Sequence, residues 1–296
     1  MNTSLDHLSA GRRQLLKNAV AIIVKAVRPE KIILFGVYNN SADSIYDDMG
    51  LSQALPPATL TSVLGAFDLL IVTSEDDRRS DYELQDIIEN RCREVVAVTA
   101  LVHDIVYVNR RVKEGQYFFS MAVLEGTLLF DARRTPLARA SLPDWEAVRE
   151  MAERDFERWN RQAGDFFQSA EFIRAKRGWN TATFFLHQAA EQCYQAILLA
   201  FMGYKPTTHN LDKLRRYTNR FSVELAMLFP RDSEAEEGLF RLLSSGYVSA
   251  RYKEEFTISE EEVGLLTERV RRLLNIAGRV CKNHFTSLGR KAAGGR

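Results

Sequence analysis

The sequence predicts two architectures in series, an α/β domain followed by an all-helical bundle. Three observations carry this reading. Short apolar runs at Lys31–Phe35, Phe67–Thr73 and Val95–Val102 are interleaved with helical periodicity up to about residue 138. Beyond that point no strand signal occurs. Apolar residues instead recur three and four apart, most plainly Val263, Leu266, Val270, Leu273, Ala277 and Cys281.

Each element has its own signal. The opening helix, 5–28, places Leu15, Leu16, Val20, Ile23 and Val27 on one face. The run 67–73 is apolar nearly throughout, which predicts a central strand. A helix at 81–93, a strand at 95–102 and a helix at 105–114 follow, and Gly115 ends the last of these. In the second half, helices are expected at 145–176, 181–202, 211–228, 232–249 and 259–285. Gly203 closes the second of them, and Ser259 with Glu262 forms a capping box at the start of the last. Between the first two strands, residues 37–63 are polar and rich in turn signals (Asn39-Asn40, Asp47-Asp48, Pro56-Pro57), and loops of that length tend to be functional.

Composition narrows the function classes. The net charge is +1; residues 1–140 carry 16 Lys/Arg against 18 Asp/Glu, a net −2 that leaves +3 for the remainder. Neither half is a polyelectrolyte built for nucleic acid or a charged membrane surface. The three cysteines, Cys92, Cys193 and Cys281, are far apart, without zinc spacing or an even count for disulfides. They read as reduced structural thiols. Residues 19–27 are too short, and too interrupted by Lys25, to span a bilayer. The expectation is a cytoplasmic protein with no membrane partner.

Two resemblances follow from local motifs. Phe35-Gly36-Val37-Tyr38 closes the first strand, and Ala66-Phe67-Asp68-Leu69-Leu70-Ile71-Val72-Thr73 supplies the second. This frame resembles the minimal nucleotidyltransferases, in which strand-Gly-Ser leads through a loop to Asp-x-Asp. Val37 stands where that pattern has Ser, and Ala66 where it has the first Asp. The stretch from Glu114 through Tyr117-Phe118-Phe119 to Phe130-Asp131 is similar to the sheet-closing end of such domains. The second half resembles HEPN domains through Phe185-Leu186-His187-Gln188-Ala189-Ala190-Glu191-Gln192, then Pro206-Thr207-Thr208-His209-Asn210-Leu211, then Ala250-Arg251-Tyr252. The resemblances imply a nucleotidyltransferase-like mixed sheet with flanking helices over 1–138 and a HEPN-type bundle over 139–288. A disordered basic tail is expected at 289–296.

They also imply a chemistry. Nucleotidyl transfer needs charge neutralisation at the leaving pyrophosphate, usually by two divalent metals. Acids two apart on a strand share a face and can grip Mg²⁺ together. Asp68 is the one such ligand kept. Gly36, Val37, Tyr38, Asn39 and Asn40 form the expected nucleotide-binding segment, in which Val37 offers no hydroxyl. The resemblance together with the substitutions implies a nucleotide-binding, regulatory protein with a degenerate metal site. The rivals are an active transferase acting on a hydroxyl acceptor and a HEPN ribonuclease of a toxin–antitoxin or defence module, with RNA as partner. A nucleoside triphosphate is the expected ligand, and a homodimer through the helical domain the expected assembly. The aromatic set Phe156, Trp159, Phe166, Phe167 and Phe172 is expected in bundle core and dimer contact.

Within the helical half, His187 and Glu191 lie four apart, so their side chains meet. They read either as a hydrogen-bonded pair at the bundle edge or as part of a pocket with His209, Arg251 and Tyr252. His209-Asn210 also fits a plain capping turn. Arg279 and His284 match the Arg-x4–6-His spacing of HEPN ribonucleases. They read equally as a solvated last turn where cations favour the helix dipole.

Overall fold

The computed structural model describes residues 1–35, 67–247 and 257–294. They fall into two compact units, with the changeover between Pro143 and Asp144. That lies five residues past the boundary expected from sequence. Among the described residues no helix is long and apolar enough to cross a membrane.

The first unit comprises α1 (Ala10–Val27), β1 (Lys31–Leu34), β2 (Phe67–Thr73), α2 (Asp81–Cys92), β3 (Val98–Asp104), α3 (Ile105–Lys113), α4 (Tyr117–Leu124) and β4 (Thr127–Asp131). Its four strands form a mixed sheet of order β3-β2-β1-β4. β2 is parallel to β3 and antiparallel to β1, and β1 is antiparallel to β4. The expected central strand is therefore central. Alternation sends Phe67, Leu69 and Ile71 of β2 into one core with Leu16, Ala19 and Ile23 of α1 and Leu84 and Ile88 of α2. Asp68 belongs to the opposite face of the sheet.

Three local readings change. The third strand begins at Val98 rather than Val95, because the amides of Val95 and Val96 both donate to Cys92 O and close a turn first. Asp104, expected just beyond that strand, is its last residue, and its side chain caps α3 by accepting from Tyr107 N at 2.7 Å. Tyr117-Phe118-Phe119 opens a helix, capped by the Gln116 side chain, and leaves 127–131 alone to close the sheet. An apolar run does not by itself distinguish a buried strand from a buried helix.

The second unit comprises α5 (Trp145–Ala175), α6 (Trp179–Met202), α7 (Leu211–Asn219), α8 (Val223–Met227), α9 (Glu234–Ser245) and α10 (Glu260–Gly294). The expected helix at 211–228 is broken: Ser222 caps a new start by accepting from Glu224 N. The Ser259–Glu262 capping box is present in both directions. All six residues of the expected α10 seam are buried, and the seam continues to Leu288, 1% exposed. Helix therefore runs through Gly289 to Gly294, where a disordered tail was expected. Burial of Leu288, and Lys291 lying 4.6 Å over the Trp145 ring, hold it there against its basic composition. Of the aromatic set on α5, Phe156 and Phe167 are core, whereas Phe172 is 59% exposed. The three cysteines are free and buried.

Gly126 marks the tightest backbone approach in the sheet unit. A Cβ there would sit 2.2 Å from Ala122 O and 2.7 Å from Ile33 Cγ2. Gly126→Ala must displace the α4–β4 connection or β1. We expect it to destabilise the protein by about 2 kcal/mol or more in urea unfolding, with little change in m-value.

Candidate functional site

The strand frame of the first unit places its acid at a defined point. Asp68 is the second residue of β2, half-buried, directly across from Thr99 on β3. The amide of Phe35 donates to Asp68 O at 3.2 Å, so β1 ends beside the residue carrying this carboxylate. The expected phosphate-side residues Gly36, Val37, Tyr38, Asn39 and Asn40, and Ala66, lie outside the described residues. The neighbour on β3 offers a hydroxyl, not an acid. Asp104 is five residues further along that strand, roughly 16 Å away, and is engaged as a cap. Among the described residues no three His, Cys, Asp or Glu side chains converge to hold a metal.

The helical unit assembles a denser site. α6 is buried on almost every side, so its polar residues must find partners inside the protein. Glu191, 3% exposed, is the centre. Its Oε1 accepts from His209 Nδ1 at 2.9 Å and from Gln195 Nε2 at 3.3 Å. Its Oε2 lies 3.5 Å from His187 Nε2, an ion-pair distance longer than a hydrogen bond. His187, 1% exposed, donates from Nδ1 to Leu243 O at 3.0 Å and is thereby anchored to α9. The Tyr247 ring faces both imidazoles, with centroids 5.8 Å from His209 (parallel) and 5.6 Å from His187.

The chain after α6 is shaped to bring His209 in. Gly203 takes a left-handed φ of 57° and ends the helix, which a Cβ would resist. Thr208 Oγ1 accepts from Asn210 N, and the Asn210 side chain caps α7 through Lys213 N at 3.0 Å. The capping turn and the pocket are thus the same piece of chain.

Burial works to raise the Glu191 pKa, but the polar influence of the adjacent His187 and His209 imidazoles outweighs it, so the carboxyl sits below its usual range. Burial holds the nearby Lys205 ammonium below its usual range, against the opposing pull of the Glu191 charge. Lys205 Nζ also lies 4.6 Å over the Trp159 ring.

Of the five residues expected in this pocket, the structure brings together His187, Glu191 and His209; Arg251 and Tyr252 lie outside the described residues. The bundle-edge reading of His187–Glu191 is replaced by a core position. Gln195, Lys205, Tyr247 and the Leu243 carbonyl join without having been singled out. Gln195 carried a signal, being four residues after Glu191 on the same face. Tyr247 and Lys205 are distant in sequence and carried none.

Arg279 and His284 do not form one site. Five residues apart on α10, they project from different faces. Arg279 pairs with Glu224, whereas His284 stacks on Phe201 at 4.1 Å. Burial, aided by the Lys291 charge, pushes the His284 pKa down to about 4, so its ring is neutral at neutral pH. The solvated last turn expected there is instead a packed position in mid-helix.

Residues 156–280, from within α5 to within α10, match the family model of the HEPN domain. The helical unit therefore carries a HEPN domain, and the sheet unit precedes it. No curated protein matches the chain.

The depressed Glu191 pKa gives a signed expectation. Near its ordinary value of 4.5 the folded state binds fewer protons at this carboxyl than the unfolded state. Its stabilisation is complete above that value and is lost as pH falls through the folded pKa. Urea unfolding of wild type and Glu191→Gln between about pH 3 and 7 should show a gap in favour of wild type that narrows on acidification. A pH-independent gap would show that the charge is not what matters.

Proposed function

We propose that this chain is a nucleotide-responsive regulatory protein in which a nucleotidyltransferase-like unit with a degenerate metal site precedes the HEPN domain. The observation that carries the reading is that Asp68, on the central strand, stands level with a hydroxyl residue, Thr99, on β3 rather than with a second acid. The mixed sheet, the end of β1 beside Asp68 and the glycine that follows in sequence all support a phosphate-handling frame. Val37 and Ala66 remove the hydroxyl and the second carboxylate that transfer requires. A single carboxylate anchors Mg²⁺ weakly unless a phosphate supplies further oxygens, so binding is retained more readily than chemistry. The HEPN domain supplies the regulatory partner module and self-association. Separation of Arg279 from His284, and the low pKa of the latter, argue against ribonuclease action through that pair.

Thermal shift with a panel of nucleoside mono-, di- and triphosphates, with and without Mg²⁺, tests this. A ligand selective for the native state at 100 times its Kd adds about 2.7 kcal/mol of apparent stability. We expect a triphosphate to raise Tm, with any Mg²⁺-dependent part removed by Asp68→Asn, and no transfer of label to a hydroxyl acceptor. Silence across the panel would sink nucleotide binding; transfer in wild type would replace it with the active-enzyme reading. Sedimentation equilibrium that returned only monomer would remove the self-association.

A further inference from the structure

Five histidines occur in the chain, and His209 is held in a way that leaves it chemically available. Its side chain is 67% exposed, yet Nδ1 is fixed 2.9 Å from the buried Glu191 Oε1. An ionised carboxylate only accepts hydrogen bonds, so Nδ1 must be the donor. The tautomer that follows carries its lone pair on Nε2. Glu191 cannot easily swing away: it is 3% exposed on a packed helix, and Gln195 shares Oε1. The buried Glu191 carboxylate, braced by Gln195, thereby orients one exposed imidazole. The connection that carries His209 also carries a part-buried cation, Lys205, four residues before it.

An oriented imidazole whose Nε2 has no partner seen among the described residues, with a carboxylate behind it, is an activated nucleophile. We propose that His209 Nε2 is a phosphoryl acceptor, taking the group from a small phosphoanhydride or phosphoramidate donor. The Nε2 lone pair forms the N–P bond as the P–O or P–N bond of the donor breaks, and that electron pair leaves with the donor fragment. No proton leaves Nε2, which carried none. The ring becomes cationic with Nδ1–H in place, and Glu191 lies against that new charge. A phosphoryl group suits the site better than an acyl group, because its anionic oxygens require the second cation. The proposal needs neither Asp68 nor nucleotide binding, so it stands or falls separately from the regulatory reading above.

His7 provides an internal comparison: it is exposed, and no carboxylate partner is seen for it among the described residues. The full chain is incubated with potassium phosphoramidate and, separately, with acetyl phosphate. Intact mass, ³¹P NMR and peptide mapping then follow acid-labile phosphohistidine. We expect one phosphoryl group on His209, formed faster than on His7 and absent in His209→Gln. Glu191→Gln, which keeps an acceptor oxygen but loses the charge, should slow formation roughly tenfold, as for loss of one charge-assisted hydrogen bond. If Glu191→Gln does not fold by circular dichroism, the His209-to-His7 rate ratio in wild type decides alone. No adduct on folded wild type, equal rates at His209 and His7, or an unchanged rate in folded Glu191→Gln would overturn the proposal.

Discussion

The Glu191 carboxylate is the constraint around which the HEPN domain is arranged. An ionised carboxyl at 3% exposure costs several kcal/mol in lost hydration. That cost is offset because donors reach it from the same helix, through Gln195, and from the α6–α7 connection, through His209. Such a charge does not tolerate half of its partners. Removing one leaves the other side of the charge uncompensated, at a cost of about 3 kcal/mol. The carboxylate therefore pins the connection 203–210 to α6, and His187 carries the same constraint on to α9 through the Leu243 carbonyl. Elements far apart in sequence are joined by one group that cannot remain buried without them.

The sheet unit is governed by a different constraint, the period of two along a strand. It commits Phe67, Leu69 and Ile71 to the core shared with α1 and α2, and turns Asp68 to the other face. Once that is fixed, the chemistry available at Asp68 depends on what the flanking strands present on that face. β3 presents Thr99, and its acid, Asp104, is spent at the far end of the strand in capping α3. A strand register thus decides how many oxygens can meet at one point.

Much of this was legible in the residues. β2 was identified to the residue because its nearly unbroken apolar run of seven is strand length and is rich in β-branched and aromatic residues, and the α10 seam was legible because its spacing never lapses. Convergence of His187, Glu191 and His209 followed from a four-residue spacing plus a turn that returns the chain to α6. What failed has physical reasons. Tyr117–Phe119 is as apolar as a strand, and only Gln116 as a cap distinguishes the helix it opens. Ser222 breaks 211–228 through a capping hydrogen bond that propensity underweights. The basic, glycine-containing end of α10 looked unstructured because Leu288 and Lys291 acquire their partners only in the tertiary fold. Tyr247 and the Leu243 carbonyl could not have been named: one is an ordinary aromatic residue, the other a backbone oxygen.

Three histidines of the helical unit show how one side chain is assigned three tasks by its surroundings. His284 stacks against Phe201, which itself stacks on Phe221, and burial keeps its ring neutral. It is packing, and its ionisation works against it. His187 is equally enclosed but meets a carbonyl on one nitrogen and a carboxylate on the other, so its polarity is used to tie helices together. His209 has the same carboxylate on one nitrogen and solvent around most of its ring. Only in this last case does the protein spend a buried charge on orienting a group that remains accessible. Had Glu191 served the core alone, an apolar residue with His187 replaced to match would pack as well. The arrangement makes physical sense when the exposed imidazole, rather than the buried pair, is what the carboxylate is kept for.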